Sequence, residues 1–429
     1  MTERVPSLSA ALEHWRSGVP VHAVRKQQWS GTHRSRTLTS SLEHVRSVAA
    51  LAGVTRVANV TGLDTVGLPV VAVYRPNARS LVVSQGKGLD LVAATVSGLM
   101  EAVESHHAEH PDLPLRLASQ RELNTRGRVI AVDKLAHVAG QPFLDHRSTL
   151  WTQGVELNTG EALWAPFEIV HTNFTVPLPA GSGCFMMSSN GLASGNHPLE
   201  ATSHGLCEVV ERDAVALFHA AGGFSQSRNR IQLSSIDALS CREVLARFEA
   251  ADLACGVWDI TTDVGLAAFL CVIVDRSANM FRPLYYANGS GCHPAREVAL
   301  LRALTEAAQC RLTYIAGARD DADREFFERA RNPDRIASMR QCIDAGATGG
   351  RAFPATPNYD ATTLDDDVTW ELNCLERVGL REVGVFDLSK PEFGIAVVRV
   401  VVPGLEALSG APGYTAGPRA LRERAQASS

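Results

Sequence analysis

None of the nine cysteines in this 429-residue sequence forms a Cys-x-x-Cys pair, so a structural zinc site has no local support. They are Cys184, Cys207, Cys241, Cys255, Cys271, Cys292, Cys310, Cys342 and Cys374. Several lie in apolar runs, as Cys271 does in AAFLCVIV, and are expected as reduced, buried thiols. No apolar run approaches the roughly 18 residues that span a bilayer, so a membrane protein is not expected. The stretch 1–17 is polar and lacks an apolar core followed by a small-residue cleavage site. A secretory signal is therefore not expected, and the cytoplasm is the expected location. The phosphate loop G-x-x-x-x-G-K-S/T, the dinucleotide turn G-x-G-x-x-G and the hydrolase elbow G-x-S-x-G are all missing. Strong positive charge is missing too. The net charge of -5 argues against a nucleic-acid or membrane-surface binder. Neither an internal repeat nor a low-complexity linker is visible.

What is present suits a packed globular protein: 45% apolar and 20% charged residues. The length allows two or three ordinary domains or one composite domain. Residues 1–60 read as a helical and loop extension containing the basic loop GTHRSRT at 31–37. Strands are expected at 68–76, 80–85, 128–135, 162–170, 267–275, 382–388 and 394–402. The turn Gly86-Lys87-Gly88 precedes a helix capped by Asp90 and running to about Glu109. A glycine-rich loop, 180–196, precedes a helix from Pro198 to about Ala220, with proline in the first turn. Pro294 is expected to open a third helix reaching Ala316. The charged stretch 319–363 reads as helix plus loop. Strands and helices alternate loosely, so the fold class is α+β, with β-sheet layers carrying long packed helices. Residues 61–409 form the expected catalytic domain and 410–429 a flexible tail.

Three helices carry polar residues at one-face spacing. The first presents Ser97, Glu101 and Glu104. The second presents Glu200, His204, Glu208 and Glu211, with Arg212 at the edge. The third presents Arg302 and Glu306, continued by Gln309. For any one helix, a solvated face is the commoner explanation. His106, His107, His110 and His204 likewise read as surface or packing residues, and Glu109 and His110 as an exposed helix end. What shifts the balance is that three helices agree and that small apolar residues flank the glutamates. Buried carboxylates need a partner, and several together repel. Magnesium, a hard ion that bridges carboxylates to phosphates, would relieve that repulsion. Lys87, Arg212 and Arg302 could supply phosphate contacts.

The segment SSNGLASGNHPLEATSHGLCEVVERDAVALF, at 188–218, resembles the central signature of the YcaO superfamily. That signature runs S-N-G-x-A-x-G-N-x-x-x-E-A and then E-x-x-E-R-D-A. GKGLDLVAATVSGLMEAVE at 86–104 is similar to the family's S-x-x-x-E-x-x-E-R motif, and RALTEAAQCR at 302–311 to R-x-x-x-E. TGLDTVGLPVVAVYRP and VVPGLE resemble stand-alone members. Ser105 stands where the first motif has arginine, Ala193 where some members have serine, and His204 where some have glutamine.

The resemblance implies a YcaO-type fold whose helices line a nucleotide site, with ATP and Mg2+ as cofactors. It implies that Glu101, Glu104, Glu208, Glu211 and Glu306 surround magnesium. Ser97, Asn190, Glu200, Arg212 and Arg302 would hold the nucleotide, joined by Lys87. It assigns no covalent nucleophile, so the catalytic residue stays unknown. The implied reaction phosphorylates a backbone amide of a ribosomally made peptide or protein. Sulfide as nucleophile gives a thioamide, a side-chain thiol or hydroxyl an azoline, and an amine an amidine. The ending LRERAQASS lacks the proline-rich terminus of azoline-forming members, which favours a stand-alone, thioamide-forming member with a TfuA-type partner. A homodimer is expected, without nucleic acid or membrane. Two other classes stay open: a non-catalytic nucleotide-binding accessory protein, and a ligase or kinase for a small molecule.

Overall fold

The computed structural model describes residues 5–29, 31–277, 286–345 and 350–427. The outermost residues of both expected terminal segments, and part of the 319–363 stretch, lie outside the described residues. The N-terminal part supplies α1 (Leu8–Ser17) and α2 (Leu38–Val48). An antiparallel sheet β1 (Arg56–Asn59), β2 (Val70–Tyr74) and β3 (Val83–Lys87) follows and leads into α3 (Leu91–Glu109). Next come β4 (Leu115–Ala118), α4 (Gln120–Asn124), β5 (Arg128–Val129), β6 (Thr149–Glu156), β7 (Ala162–Pro166) and β8 (Leu192–Gly195), which enters α5 (Pro198–Ala220). After α6 (Leu239–Ala250), a second antiparallel sheet forms from β9 (Leu253–Asp259), β10 (Ala268–Asp275) and β11 (Ala287–Cys292), leading into α7 (Arg296–Ala316). The chain closes with α8 (Arg324–Arg331), α9 (Pro333–Ala345), α10 (Leu364–Arg377), β12 (Gly384–Asp387), β13 (Ala396–Val401) and α11 (Pro418–Ala427). The third sheet runs β5-β7-β6-β12-β13-β8, with β4 also on β6. The fold is α+β, as expected.

Local chemistry explains where the three long helices start. Asp90 accepts the Ala93 amide at 2.7 Å and caps α3. Pro198 opens α5, while His197 Nδ1 accepts the Leu199 amide at 3.2 Å. The third helix opens at Arg296, not at Pro294. Pro294 stays outside it, and its carbonyl accepts the Tyr359 amide at 2.9 Å.

A repeat that the sequence hides emerges here. The units β3–α3, β8–α5 and β11–α7 each run from a strand directly into a long helix. The helices begin at Leu91, Pro198 and Arg296. Ser97, His204 and Arg302 then occupy the same place along their helices. So do Glu101, Glu208 and Glu306, and so do Glu104, Glu211 and Gln309. The packing is cyclic: α3 lies on β3 and β8, α5 on β8 and β11, and α7 on β11 and β3. Two glycines permit the close approach. A Cβ on Gly86 would lie 2.0 Å from the Ala94 carbonyl oxygen, and one on Gly291 2.2 Å from that of Ala299. No side chain fits at either position.

Other expectations shift. Gly86 and Lys87 are not a turn; they pair in β3 with Val71 and Val70. The strand expected at 128–135 shrinks to Arg128–Val129 and gives way to a short helical turn at 132–134. The glycine-rich loop contains β8. Glu109 is not at an exposed helix end: it is buried and takes both terminal nitrogens of Arg75, at 2.9 and 2.7 Å. The tail expected to be flexible carries α11, docked through Arg419 onto Asp213 of α5. A sequence cannot show that pairing, because the partners are far apart along the chain.

Candidate functional site

The cyclic packing turns the repeated faces of α3, α5 and α7 toward one another. Their side chains meet in two adjoining groups. The first holds the glutamates. Lys87 Nζ, at the end of β3, donates to Glu306 Oε2 of α7 at 2.9 Å. Arg212 lies 3.8 Å from Glu208 and 3.3 Å from Glu211. Glu211 also accepts from Ser290 Oγ at 2.7 Å and from the Cys292 amide at 3.1 Å, which ties α5 to β11. Ser97 is half-buried one turn before Glu101.

Electrostatics shows how crowded the carboxylates are. Burial raises the Glu208 carboxyl to about 7; Glu211 adds to this, while Arg212 opposes it. Burial raises Glu101 to about 6, against the pull of Lys87 and of the Gln85 amide. Glu104 is pushed well above the usual range, first by burial and then by the charges of Glu208 and Glu101. Burial would also raise Glu306, but Lys87 and Arg212 hold it below its ordinary value. Burial opposes the charge on Arg212, yet Glu211, Glu208 and Glu306 outweigh it and keep the guanidinium protonated. Among the described residues, neither Glu101 nor Glu104 has a lysine or arginine in ion-pair contact. Several carboxylates on rigid helices, short of countercharge and rich in hard oxygen donors, fit a divalent cation of the magnesium type.

The second group lies at the N-terminal half of α5. Glu200 accepts from Arg34 Nη1 at 3.2 Å, from the Ser35 amide and hydroxyl at 2.9 and 2.7 Å, and from Asn196 Nδ2 at 3.1 Å. Arg302 Nη2 donates to His204 Nε2 at 3.0 Å. Burial first, and then Arg302, keeps that imidazole neutral. Glu200, His204 and Arg302 border a cavity of about 30 Å3 that also touches Thr32, Ser203 and Cys207. Nearby, His33, His293 and Asp367 bring donor atoms within 4.8 Å of one another. Two contacts argue against a metal there. His293 Nδ1 accepts the Ala295 amide at 3.0 Å, so in the neutral ring the proton sits on Nε2. Asp367 already has the Lys26 ammonium 2.7 Å away.

The structure thus brings Lys87, Glu101, Glu104, Glu208, Glu211, Arg212 and Glu306 into one group, while Ser97 is half-buried one turn before Glu101 on α3. Glu200 and Arg302 fall in the other. Asn190 stands apart from Glu200. Its carbonyl accepts from Arg399 Nη1 at 2.6 Å, and its side-chain oxygen is buried without a partner. The amide that touches Glu200 belongs to Asn196. Sequence reasoning also missed Arg34, Ser35 and Arg399. Arg34 was visible only as part of a basic loop. Arg399 left one signal, a lone charge inside the apolar run AVVRVV.

Comparison with known proteins adds the family. A family profile described as "YcaO cyclodehydratase, ATP- and Mg2+-binding" matches residues 85–406. An uncharacterized protein from the tfuA 3' region of Rhizobium leguminosarum bv. trifolii is 36% identical over 359 residues, covering 82% of this chain and 84% of that protein. An uncharacterized protein of Methanothermobacter thermautotrophicus is 32% identical over 377 residues, covering 85% of this chain and 92% of that one. Among solved structures, YcaO from Methanopyrus kandleri, bound with AMPPCP and Mg2+, superposes with a TM-score of 0.71 at 21% identity. That match covers 92% of this chain and 99% of the other. A heterocyclase in complex with substrate and cofactor gives a TM-score of 0.75 at 23% identity over 91% of this chain, which spans 55% of that longer protein.

Proposed function

Because the chain belongs to the YcaO family, we propose that it uses ATP and magnesium to activate a backbone amide of a ribosomally made peptide or protein. The observation that carries this reading is the meeting of the glutamates of α3, α5 and α7 with Lys87 and Arg212 between them. Glu101, Glu104, Glu208, Glu211 and Glu306 would hold magnesium. Ser97, Glu200, Arg212, Arg302 and Lys87 would contact the nucleotide, and so would Asn190 from its own position apart from Glu200. Bound magnesium supplies positive charge shared between these carboxylates and the phosphates. Lys87 and Arg212, aligned beside the glutamates, meet charge on the transferring phosphoryl group. Their anchoring to Glu306, Glu208 and Glu211 fixes their direction before substrate arrives.

In the reaction, a nucleophile bonds to the amide carbon. The former carbonyl oxygen, now anionic, takes the γ-phosphoryl group of ATP and releases ADP. The carbon–oxygen bond then breaks and inorganic phosphate leaves with that oxygen. With sulfide as nucleophile the sulfur stays on carbon, giving a thioamide. A side-chain thiol or hydroxyl gives an azoline, and an amine an amidine. The relative from the tfuA 3' region favours the thioamide and a TfuA-type partner. A cytoplasmic homodimer completes the reading. No helix among the described residues is long and apolar enough to cross a membrane.

The test incubates the protein with ATP, magnesium, sulfide and peptides encoded beside its gene, each labelled with heavy oxygen in the amide. Expected are peptide-dependent ADP release and transfer of the label to phosphate, both lost in Glu208→Gln. Mass spectrometry distinguishes oxygen-to-sulfur exchange from loss of water. ADP release that follows a small metabolite instead of a peptide would refute amide activation. A Glu208→Gln protein with full cellular function would refute catalysis itself.

A further inference from the structure

A cleft of about 540 Å3 opens beside the second group of the site. Trp29 and His33 of the N-terminal segment line it, together with Leu239 at the start of α6, Leu301 of α7, and Phe353. Trp29 is 41% exposed and Leu239 69%, although both side chains are large and apolar. One exposed apolar side chain is ordinary, but two bordering the same concavity mark a surface that binds. His33 joins the cleft to the site. Its ring packs edge-on against Trp29, with 5.0 Å between centroids, and against His293 at 4.7 Å. It borders both the cleft and the small cavity that Glu200, His204 and Arg302 surround. Leu301 directly precedes Arg302 on α7.

The cleft is also negative. Asp237, Glu297 and Asp360 stand exposed in its lining. Its arginine, Arg296, is already engaged: the guanidinium lies over the Phe353 ring at 5.2 Å and donates to the Pro354 and Thr356 carbonyls at 3.1 and 3.3 Å. His33 adds no charge, because burial first and then Lys26 lowers it to about 3. Carboxylates around an apolar concavity focus a negative field and favour a cationic, partly apolar ligand. The volume falls in the range of ligand pockets, roughly 300–1000 Å3, so the cleft admits a short extended segment and not a folded domain. We propose that it binds a segment of the peptide substrate, with an apolar side chain against Trp29 and Leu239 and a lysine or arginine beside Asp237 or Asp360. A peptide held there lies across His33 from Glu200 and Arg302, next to the space assigned to the nucleotide. That the occupant is a substrate rests on the proposed amide activation; the shape and charge of the cleft do not.

The experiment follows the fluorescence anisotropy of a labelled glycine–serine peptide carrying Lys-Leu-Lys as full-length protein is added. Matched peptides carry Glu-Leu-Glu or Lys-Ser-Lys instead. The first should bind at least about tenfold tighter than the acidic peptide, an advantage that fades near about 1 M salt. It should bind about fivefold tighter than the serine peptide. Leu239→Ser, and the double variant Asp237→Asn with Asp360→Asn, should each weaken the first peptide at least about fivefold. A fluorescent ADP analogue should bind both variants as it binds wild type. All three positions are exposed, so the variants keep the fold. Equal affinity for basic and acidic peptides, no binding of either, or wild-type affinity in the variants overturns the assignment. So does loss of a homodimer in Leu239→Ser with peptide binding unchanged, which gives the cleft to a second copy of the chain. Glu208→Gln should bind the peptide like wild type. If amide activation is wrong, ADP release fails to follow the peptide while these affinities hold. If the cleft is wrong, ADP release follows the peptide and the variants bind it unchanged.

Discussion

Arg419→Met is expected to cost about 3–5 kcal/mol of stability, the usual penalty for breaking a buried ion pair by removing one partner. Arg419 is 7% exposed on α11. Its Nε and Nη2 donate to the two oxygens of Asp213, both at 2.9 Å. Nη1 and Nη2 also reach Asp263, at 3.2 and 2.5 Å, but Asp263 is 55% exposed, and that pair adds less than about 1 kcal/mol. Methionine keeps much of the stem's volume. It leaves Asp213 with a single donor, the Glu406 amide at 3.0 Å. Burial already raises the Asp213 carboxyl. Losing the guanidinium drives it further toward protonation, and this limits the cost. The assay is urea unfolding followed by tryptophan fluorescence on wild type, Arg419→Met, Asp213→Asn and the double variant. The double variant should recover most of the loss, because the uncompensated charge is gone. A loss below about 1 kcal/mol, or additive single losses, would refute the claim that this pair docks the C-terminal helix onto α5.

Three further outcomes follow from the same contacts. Gly86→Ala places a methyl 2.0 Å from the Ala94 carbonyl and 2.1 Å from the Gly98 nitrogen. It should cost at least about 1–3 kcal/mol and lower Tm, since backbone atoms must move apart; an unchanged Tm contradicts the close-packing account of β3 and α3. In the metal-free protein, Glu208 near 7 and Glu101 near 6 stand above their unfolded value of 4.5. The folded state therefore binds more protons over that window, and stability should fall as pH rises from about 4.5 through 7. Magnesium should reverse the fall with release of protons, which calorimetry in buffers of different ionisation enthalpy detects. Lys26→Met leaves the buried Asp367 without its ammonium, 2.7 Å away, and should cost about 3–5 kcal/mol. Thermal melts check this, and recovery in the Asp367→Asn double variant separates lost charge from lost packing.

Helix positions were legible because caps and periodicity are local. Asp90 and Pro198 mark their helices in sequence, and both helices run as expected. Short strands were not legible. β8 carries Leu-Ala-Ser-Gly inside a glycine-rich run, and nothing local distinguishes it from a loop. It becomes a strand because β13 offers it a partner, with Ala396 facing Gly195. Gly86 misleads in the same way. Glycine usually signals a turn, but here it is selected by the helix backbone pressed against the strand.

The repeat explains both what the sequence could say about the site and what it could not. Each unit keeps one glutamate at the same place, Glu101, Glu208 or Glu306, and those three stood out because three helices repeat the spacing among small apolar neighbours. The place one turn earlier holds Ser97, His204 or Arg302, three chemically unlike residues, so no self-similarity survives for a sequence to display. Divergence there is what a shared site requires. A cycle of identical faces would present like charges to one another at every junction, and buried like charges repel. Changing the early position to histidine in α5 and arginine in α7 instead lets those two helices bond, through Arg302 and His204 at 3.0 Å. Arg212 and Lys87, each outside the repeated positions, supply positive charge next to the carboxylates. Arg34, Asn196 and Arg399 come from segments outside the repeated helices, and no spacing rule reaches them. Their places were fixed only when the helices closed on one another.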